Sequence, residues 1–271
     1  MSSHRRMISF MFLCFISRQT EMNVAPKKRL GQHFLTDQGI ARKISNLVLP
    51  ECPNVIEIGP GKGILTKQLF DRCLNLKAVD VDEESIEYLN IMYPDHAHEF
   101  ILGDFLEMDI SALFDKDAHF QIIGNYPYNI SSQILFKALE YKDYVDCISG
   151  MFQKEVAQRI VSPPGSKVYG ILSVLLQTWY KCEYCFTVNE GSFFPPPKVK
   201  SGVIRLVRND VRDIGVDEAL YTGIIKTAFS QRRKTLRNSL KGYSLPDMEI
   251  LARRPETLSP EEFADIASSV R

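Results

Sequence analysis

Between residues 37 and 180, short apolar runs of strand length alternate with stretches of helical spacing, and few folds accommodate that order. Ile40, Ile44, Leu47 and Val48 recur at helical intervals. Strands are expected at 54–58, 74–79, 99–102, 120–123 and 145–151. Helices are expected between them at 64–70, 83–92, 131–139 and 171–180, with Asp82 placed to cap the second. Such βαβα alternation predicts an α/β fold, a doubly wound Rossmann-like parallel sheet that binds ligands at the carboxyl ends of its strands.

The rhythm changes after residue 180. Strands are expected at 182–188 and 203–207, separated by Phe193-Phe194-Pro195-Pro196-Pro197, a stiff connector. Beyond Asn209 only helical signals remain, at 217–229, 231–240, 246–253 and 260–270. The expected division is 25–208 for the sheet domain and 209–271 for a small all-helical subdomain. Net charge is zero, but residues 191–271 carry 14 Lys/Arg against 10 Asp/Glu and the rest carry 19 against 23. A polyanion surface would therefore be local to the carboxyl-terminal third.

Residues 1–24 stand apart. His4-Arg5-Arg6 and the apolar stretch 7–16 imitate a secretory signal, too short to span a bilayer. The favoured alternative is an over-long start with Met22 as initiator, because the chain beyond Met22 has the character of a cytosolic protein. No other segment is a membrane candidate. The six cysteines sit mostly in apolar or strand-like contexts and do not form a disulfide framework. Cys182 and Cys185 make a lone C-x-x-C without the further ligands zinc needs, so no metal is expected.

Three strand ends carry chemistry. Val55–Gly63 (VIEIGPGKG) runs from a strand into a glycine turn and a helix, and Gly59 and Gly61 let the backbone approach a ligand. Asp80 ends the next strand, where an acid suits the two hydroxyls of a ribose. A nicotinamide site would share these features. However, the spacing is G-x-G-x-G, and Asp104 ends a third strand where it could bind an adenine amine. An adenosyl ligand without a pyrophosphate fits better, with S-adenosylmethionine the best candidate. At the end of a fourth strand stands Asn125-Tyr126-Pro127-Tyr128. Asn125 offers an acceptor oxygen, Pro127 fixes the backbone so that the Tyr126 carbonyl is held in place, and Tyr128 can stack on a ring. The set suits the exocyclic amine of a purine.

These segments together resemble one family. KRLGQHFL (28–35), EIGPGKGILT (57–66), GNYPYNIS (124–131), QKEV (153–156), YGILSV (169–174), FPPPKV (194–199) and AFSQRRKTLRNSL (228–240) are similar to the KsgA-type small-subunit ribosomal RNA adenine dimethyltransferases from about Pro26 to the carboxyl terminus. The resemblance implies that His33, Leu35, Gly59, Asp80, Asp104 and Asn125 contact S-adenosylmethionine. His33 and Asp80 stand where other members have Asn and Glu, and Asp80 is one methylene shorter. It implies catalysis by Asn125, Pro127 and Tyr128, with the target base stacked between Tyr128 and Phe193. RNA contacts are expected from Lys27, Lys28 and Arg29, which precede a segment closing over the cofactor, and from Arg232, Arg233, Lys234 and Arg237. The expected activity is dimethylation of two adjacent adenosines near the 3′ end of 16S rRNA by a cytoplasmic monomer acting on the small ribosomal subunit. Two rivals remain: a DNA adenine methyltransferase, and a ribosome-assembly factor that binds the subunit without catalysis.

Overall fold

A computed structural model describes residues 24–72 and 75–271 of the chain. The expected start at Met22, and Cys14 and Cys73, lie outside them. Along the chain the elements are β1 (Phe34–Leu35), α1 (Gln38–Ser45), β2 (Asn54–Ile58), α2 (Ile64–Leu69), β3 (Asn75–Asp80), α3 (Glu83–Met92) and β4 (Phe100–Leu102). There follow β5 (Phe120–Asn125), α4 (Ser131–Glu140), β6 (Val145–Gln153), α5 (Lys154–Val161), α6 (Ile171–Trp179) and β7 (Tyr180–Val188). The last are β8 (Phe193–Phe194), β9 (Ser201–Arg208), α7 (Glu218–Ser230), α8 (Leu236–Ser239) and α9 (Pro260–Ser268).

Seven strands form one sheet in the order β4-β3-β2-β5-β6-β9-β7. The first five are parallel, as the alternating pattern requires. Where the rhythm of the sequence changes, at the far edge, β9 runs antiparallel to both β6 and β7. Short connections suffice there: no crossover helix separates β7 from β9, and an antiparallel return needs none. Chain order reverses between β2 and β5, so the crevice for a ligand opens above their carboxyl ends.

Both faces of the sheet are covered. Ile56, Ile122, Ile148 and Leu206 pack with Ile134 and Leu135 of α4, Ile160 of α5 and Leu176 of α6. Val55, Ile123, Met151 and Val203 face the other way, onto Ala41 and Ile44 of α1 and Leu65 and Leu69 of α2. Neighbours such as Val55 and Ile56 point to opposite sides, which is why these strands read as continuous apolar runs. Each such side chain contributes roughly 1.5–3 kcal/mol by its burial.

The carboxyl-terminal elements do not stand free. Tyr221, Ile224 and Ala228 of α7, Leu236 of α8 and Phe263 and Ile266 of α9 share a cluster with Val174 and Leu175 of α6. The Tyr221 hydroxyl lies 2.8 Å from Thr178 Oγ1 of α6 and donates to the Pro260 carbonyl at 3.1 Å. The helix expected over 231–240 is corrected: Gln231–Arg233 is a turn, and only Leu236–Ser239 is helical. The stretch 246–253 holds a 3₁₀ turn at Glu249–Ala252.

Candidate active site

A cavity of about 190 Å³ lies over the switch point, and its walls come from the ends of four strands. Gly59 and Gly61 follow β2, Asp80 ends β3, Asp104 follows β4 and Asn125 ends β5. Both glycines have positive φ, +66° and +54°, which a side chain would strain. A Cβ on Gly61 would also come within 2.8 Å of the Phe34 ring, so the glycine turn is roofed by the amino-terminal segment.

That roof is a strap over residues 27–35. Gly31, Gln32, His33 and Phe34 line the cavity from above. β1 pairs antiparallel with β8, Phe34 opposite Phe194 and Leu35 opposite Phe193. The Asn125 side-chain amide donates to the His33 carbonyl at 2.8 Å. The His33 ring meets the Pro195 carbonyl through Nδ1 at 2.7 Å. With Nδ2 of Asn125 committed to the strap, Oδ1 is left as the acceptor at the end of β5.

The floor under Asn125 is made by two glycines. Gly124 and Gly150 sit opposite one another in β5 and β6. A Cβ on Gly150 would lie 2.0 Å from the Gly124 carbonyl oxygen and 2.9 Å from the Tyr126 ring. Their absence of side chains admits the Tyr126 ring, which is fully buried and donates to the Ser149 carbonyl at 2.8 Å. Tyr128 is half-buried; its hydroxyl is 2.5 Å from Ser201 Oγ and its ring centroid 5.7 Å from that of His33. Pro127 lines the cavity between the two tyrosines.

Asp80 is held on both of its carboxylate oxygens. It is 7% exposed; one carboxylate oxygen accepts from the Asp82 amide at 2.9 Å and the other from the Gly61 amide at 3.3 Å. Burial pushes its pKa up to about 6, against the pull of these two amide donors. Asp104 is exposed at the rim and accepts from the Leu106 amide at 2.9 Å. Glu57 of β2 lies beneath the glycine turn, beside a small void it shares with Gly59 and Asn125, and burial pushes its carboxyl up to about 8.

A cradle of two positive-φ glycines, a buried carboxylate beside it and an exposed acid on the next strand fit an adenosyl ligand. Gly59, Gly61, His33, Asp80, Asp104 and Asn125 all border one cavity. Leu35 borders the adjoining small void with Glu57, Gly59 and Asn125, and it packs in the apolar cluster with Val55, Ile123 and Phe193 because its strand pairs with β8. Phe193 is corrected as a stacking ring. It is 4% exposed in that cluster and does not face the cavity, whereas Phe194 is 60% exposed.

The basic residues divide. Lys28, Arg29, Arg233 and Lys234 are exposed. Lys27 is corrected as a nucleic-acid contact, because its ammonium is bound to Asp82 at 2.5 Å and Glu84 at 3.0 Å. Arg237 pairs with Asp247 at 2.7 Å, and Arg232 donates to the Ser166 carbonyl at 3.4 Å. Asp82 does not cap α3 through its side chain, which bonds the strap instead. Sequence reasoning missed Asp82, Gln32 and Ser201 as site residues. Gln32 stands within the motif KRLGQHFL, a usable signal; the other two have none, since their partners are tens of residues away.

Cys182 and Cys185 lie within β7, and among the described residues no group of three or more His, Cys, Asp or Glu is arranged to hold a metal. No helix among the described residues is long and apolar enough to cross a membrane.

Known proteins resemble this chain in sequence and in fold. The protein named ribosomal RNA small subunit methyltransferase A of Parabacteroides distasonis is 53% identical over 250 residues, covering 90% of this chain and 93% of its own. Its namesake in Bacteroides thetaiotaomicron is 54% identical over 254 residues, covering 91% and 94%. In fold, the chain is similar to a dimethyladenosine transferase from Plasmodium falciparum, with TM-score 0.71 and 22% identity over 88% of this chain and 99% of that one. The 23S rRNA methyltransferase ErmE gives TM-score 0.67 at 23% identity over the same shares. The α/β architecture is therefore that of the class I methyltransferases. The model of the ribosomal RNA adenine dimethylase family matches residues 23–258, and the chain belongs to that family of methyltransferase enzymes.

Proposed function

We propose that this enzyme uses S-adenosylmethionine to convert two adjacent adenosines near the 3′ end of 16S rRNA to N6,N6-dimethyladenosine. It would act as a cytoplasmic monomer on the small ribosomal subunit during its biogenesis. The observation that supports the reading is the bond from the Asn125 amide nitrogen to the His33 carbonyl at 2.8 Å, which commits Nδ2 to the strap and leaves Oδ1 to accept from an amine.

An adenine amine is a poor nucleophile because its lone pair is delocalised into the ring. Asn125 Oδ1 and the Tyr126 carbonyl accept its two hydrogens, which lets the nitrogen pyramidalise as it attacks. Tyr128, anchored through Ser201, stacks on the base and holds it in a near-attack position. Pro127 keeps the turn between these groups rigid. S-adenosylmethionine, when bound, supplies the electrophilic methyl group. Asp80 accepts from the ribose hydroxyls and Asp104 from the adenine amine of that cofactor, with Gly59 and Gly61 giving room at the turn. The methyl–sulfur bond would break as the new C–N bond forms, with S-adenosylhomocysteine as the leaving group, and the nitrogen then loses its proton to water, so no strong base is required. In the second round the amine has one hydrogen, and one of the two acceptors suffices. The target base must be unstacked to enter the cavity.

Residues 25–208 would carry this chemistry and 209–271 would contact the RNA; Arg233 and Lys234 there, and Lys28 and Arg29 of the strap, would meet phosphates. The experiment is a substrate panel: labelled S-adenosylmethionine with unmodified small subunits, protein-free 16S rRNA, and DNA. Label is expected in the subunits and not in DNA. Transfer to DNA alone would overturn the reading.

A further inference from the structure

Asp82 is 1% exposed, stands two residues beyond Asp80 and occupies the N-cap position of α3, yet its side chain caps no helix amide. Its oxygens are turned instead toward the strap. Lys27 Nζ reaches Oδ1 at 2.5 Å, and Gln32 Nε2 donates to Oδ2 at 3.0 Å. The ring of contacts is closed by the Lys27 amide, which donates to Gln32 Oε1 at 2.8 Å. Ser85 Oγ donates to Oδ2 from within α3 at 3.2 Å. The main-chain amide of Asp82 donates to Asp80 Oδ1, and the other Asp80 oxygen takes the Gly61 amide. One residue thus ties together the strap, the proposed ribose acid and, through that acid, the glycine turn.

Only an ionised carboxylate accepts all three side-chain donors without offering a proton of its own. Burial disfavours that ion, but the bonds from Lys27 and Gln32 outweigh it and hold the Asp82 pKa below the usual carboxylate value. Such charge-assisted bonds are stronger than neutral ones. Elsewhere the strap is held by main-chain pairing of β1 with β8 and by the Asn125 bond to His33. Its amino-terminal end, before Gly31, is held through Asp82 and Glu84.

We propose that Asp82 is a positioning residue that couples closure of the strap over the cofactor to the orientation of Asp80. Opening the strap breaks the Lys27 and Gln32 bonds and leaves a buried carboxylate short of donors, so the closed strap and a correctly set Asp80 favour one another. Cofactor exchange is then limited by release of this latch. The inference rests on the cavity being the cofactor site.

The test is binding of S-adenosylhomocysteine to the full-length protein by calorimetry, with release rates by stopped flow. Lys27→Met removes the latch at a side chain that is a quarter exposed, so the fold is retained, and Asp82→Asn weakens the whole hub. Lys27→Met is expected to weaken binding roughly tenfold, mostly through faster release, as loss of the charge-assisted bond to buried Asp82 implies, the pairing with exposed Glu84 adding little. Asp82→Asn is expected to weaken it further and to raise the KM for S-adenosylmethionine, with the KM for subunits unchanged. A merely structural role would lower the unfolding midpoint and leave the release rate alone. Release rates within twofold of wild type in Lys27→Met would overturn the proposal. Failure of the wild-type protein to bind S-adenosylhomocysteine at all would instead overturn the assignment of the cavity, and this proposal with it.

Discussion

The cavity over β2 and β5 and the carboxyl-terminal surface beyond Asn209 handle polar groups in opposite ways. In the cavity, Asp80 is buried and Asn125 half-buried, and both are aimed by main-chain partners: Asp80 by two amides, Asn125 by the His33 carbonyl. On the carboxyl-terminal surface several charged groups answer to one another, as exposed Arg237 does to Asp247 and exposed Arg253 to half-buried Glu262. A group fixed by backbone can discriminate atoms. A group on a flexible, solvated side chain can supply charge but little geometry. The molecule thus separates chemistry from attachment, and substitutions in the two regions should fail differently.

The largest contrast is expected between two glycines. Gly150→Ala would force a Cβ against the Gly124 carbonyl and the Tyr126 ring, at a φ of +136°. It should destabilise the fold by about 4 kcal/mol or more. Gly242 in the carboxyl-terminal region meets nothing within 4 Å, and Gly242→Ala should stay within about 0.5 kcal/mol of wild type. Thermal unfolding of the two variants reads the difference directly. Equal midpoints would mean that the cavity floor is not close-packed.

Next comes Tyr128→Ala. Loss of base stacking should lower kcat/KM for small subunits by about 10–100-fold, in line with roughly 1–3 kcal/mol per stacked base. Binding of S-adenosylhomocysteine should be unaffected, and steady-state kinetics with a parallel binding titration checks both. Tyr128→Phe, which deletes only the bond to Ser201, should lose less.

Asp80 gives a pH signature. Because burial raises its pKa to about 6, the carboxylate needed to accept ribose hydroxyls is present above that value and is lost below it. Affinity for S-adenosylhomocysteine should be flat from pH 7 to 8 and fall toward tenfold per unit below about pH 6. In Asp80→Asn the affinity should be weaker and this slope absent. Calorimetry across the range distinguishes the two curves.

The smallest effect is expected on the exposed basic turn. Replacing Arg233 and Lys234 by Gln should weaken RNA binding a few-fold, reducing the slope of log affinity against log salt by about 0.7 for each phosphate that is no longer neutralised. Turnover of bound substrate should not change. Arg237→Gln should do less still, since Asp247 already neutralises that guanidinium.

How much of this can be read in the sequence follows the same division. The parallel strands are legible because apolar runs and glycine turns are local signals, and β2 and α3 have the expected bounds. Gly59, Asp80, Asp104 and Asn125 can be placed at strand ends, and they lie around one cavity. Strand direction leaves no trace in side-chain periodicity, so the antiparallel β9 is invisible there. Helix α5 (Lys154–Val161) is not among the expected helices, although Ala157 and Ile160 pack inward. Which of Phe193 and Phe194 turns inward depends on pairing with β1, some 160 residues earlier. The role of Asp82 is equally non-local, set by Lys27 and Gln32.

The most direct test of the central claim, that Asn125 presents an acceptor to an adenine amine, is nucleoside mass spectrometry of unmodified small subunits after incubation with S-adenosylmethionine and either wild type or Asn125→Ala. The account predicts N6,N6-dimethyladenosine with wild type. With Asn125→Ala it predicts a loss of about 10²–10³-fold, the scale for removing one group that stabilises a transition state, with subunit binding retained. Undiminished dimethyladenosine from Asn125→Ala would contradict the account, and so would subunit binding by the wild-type protein without any methylated product.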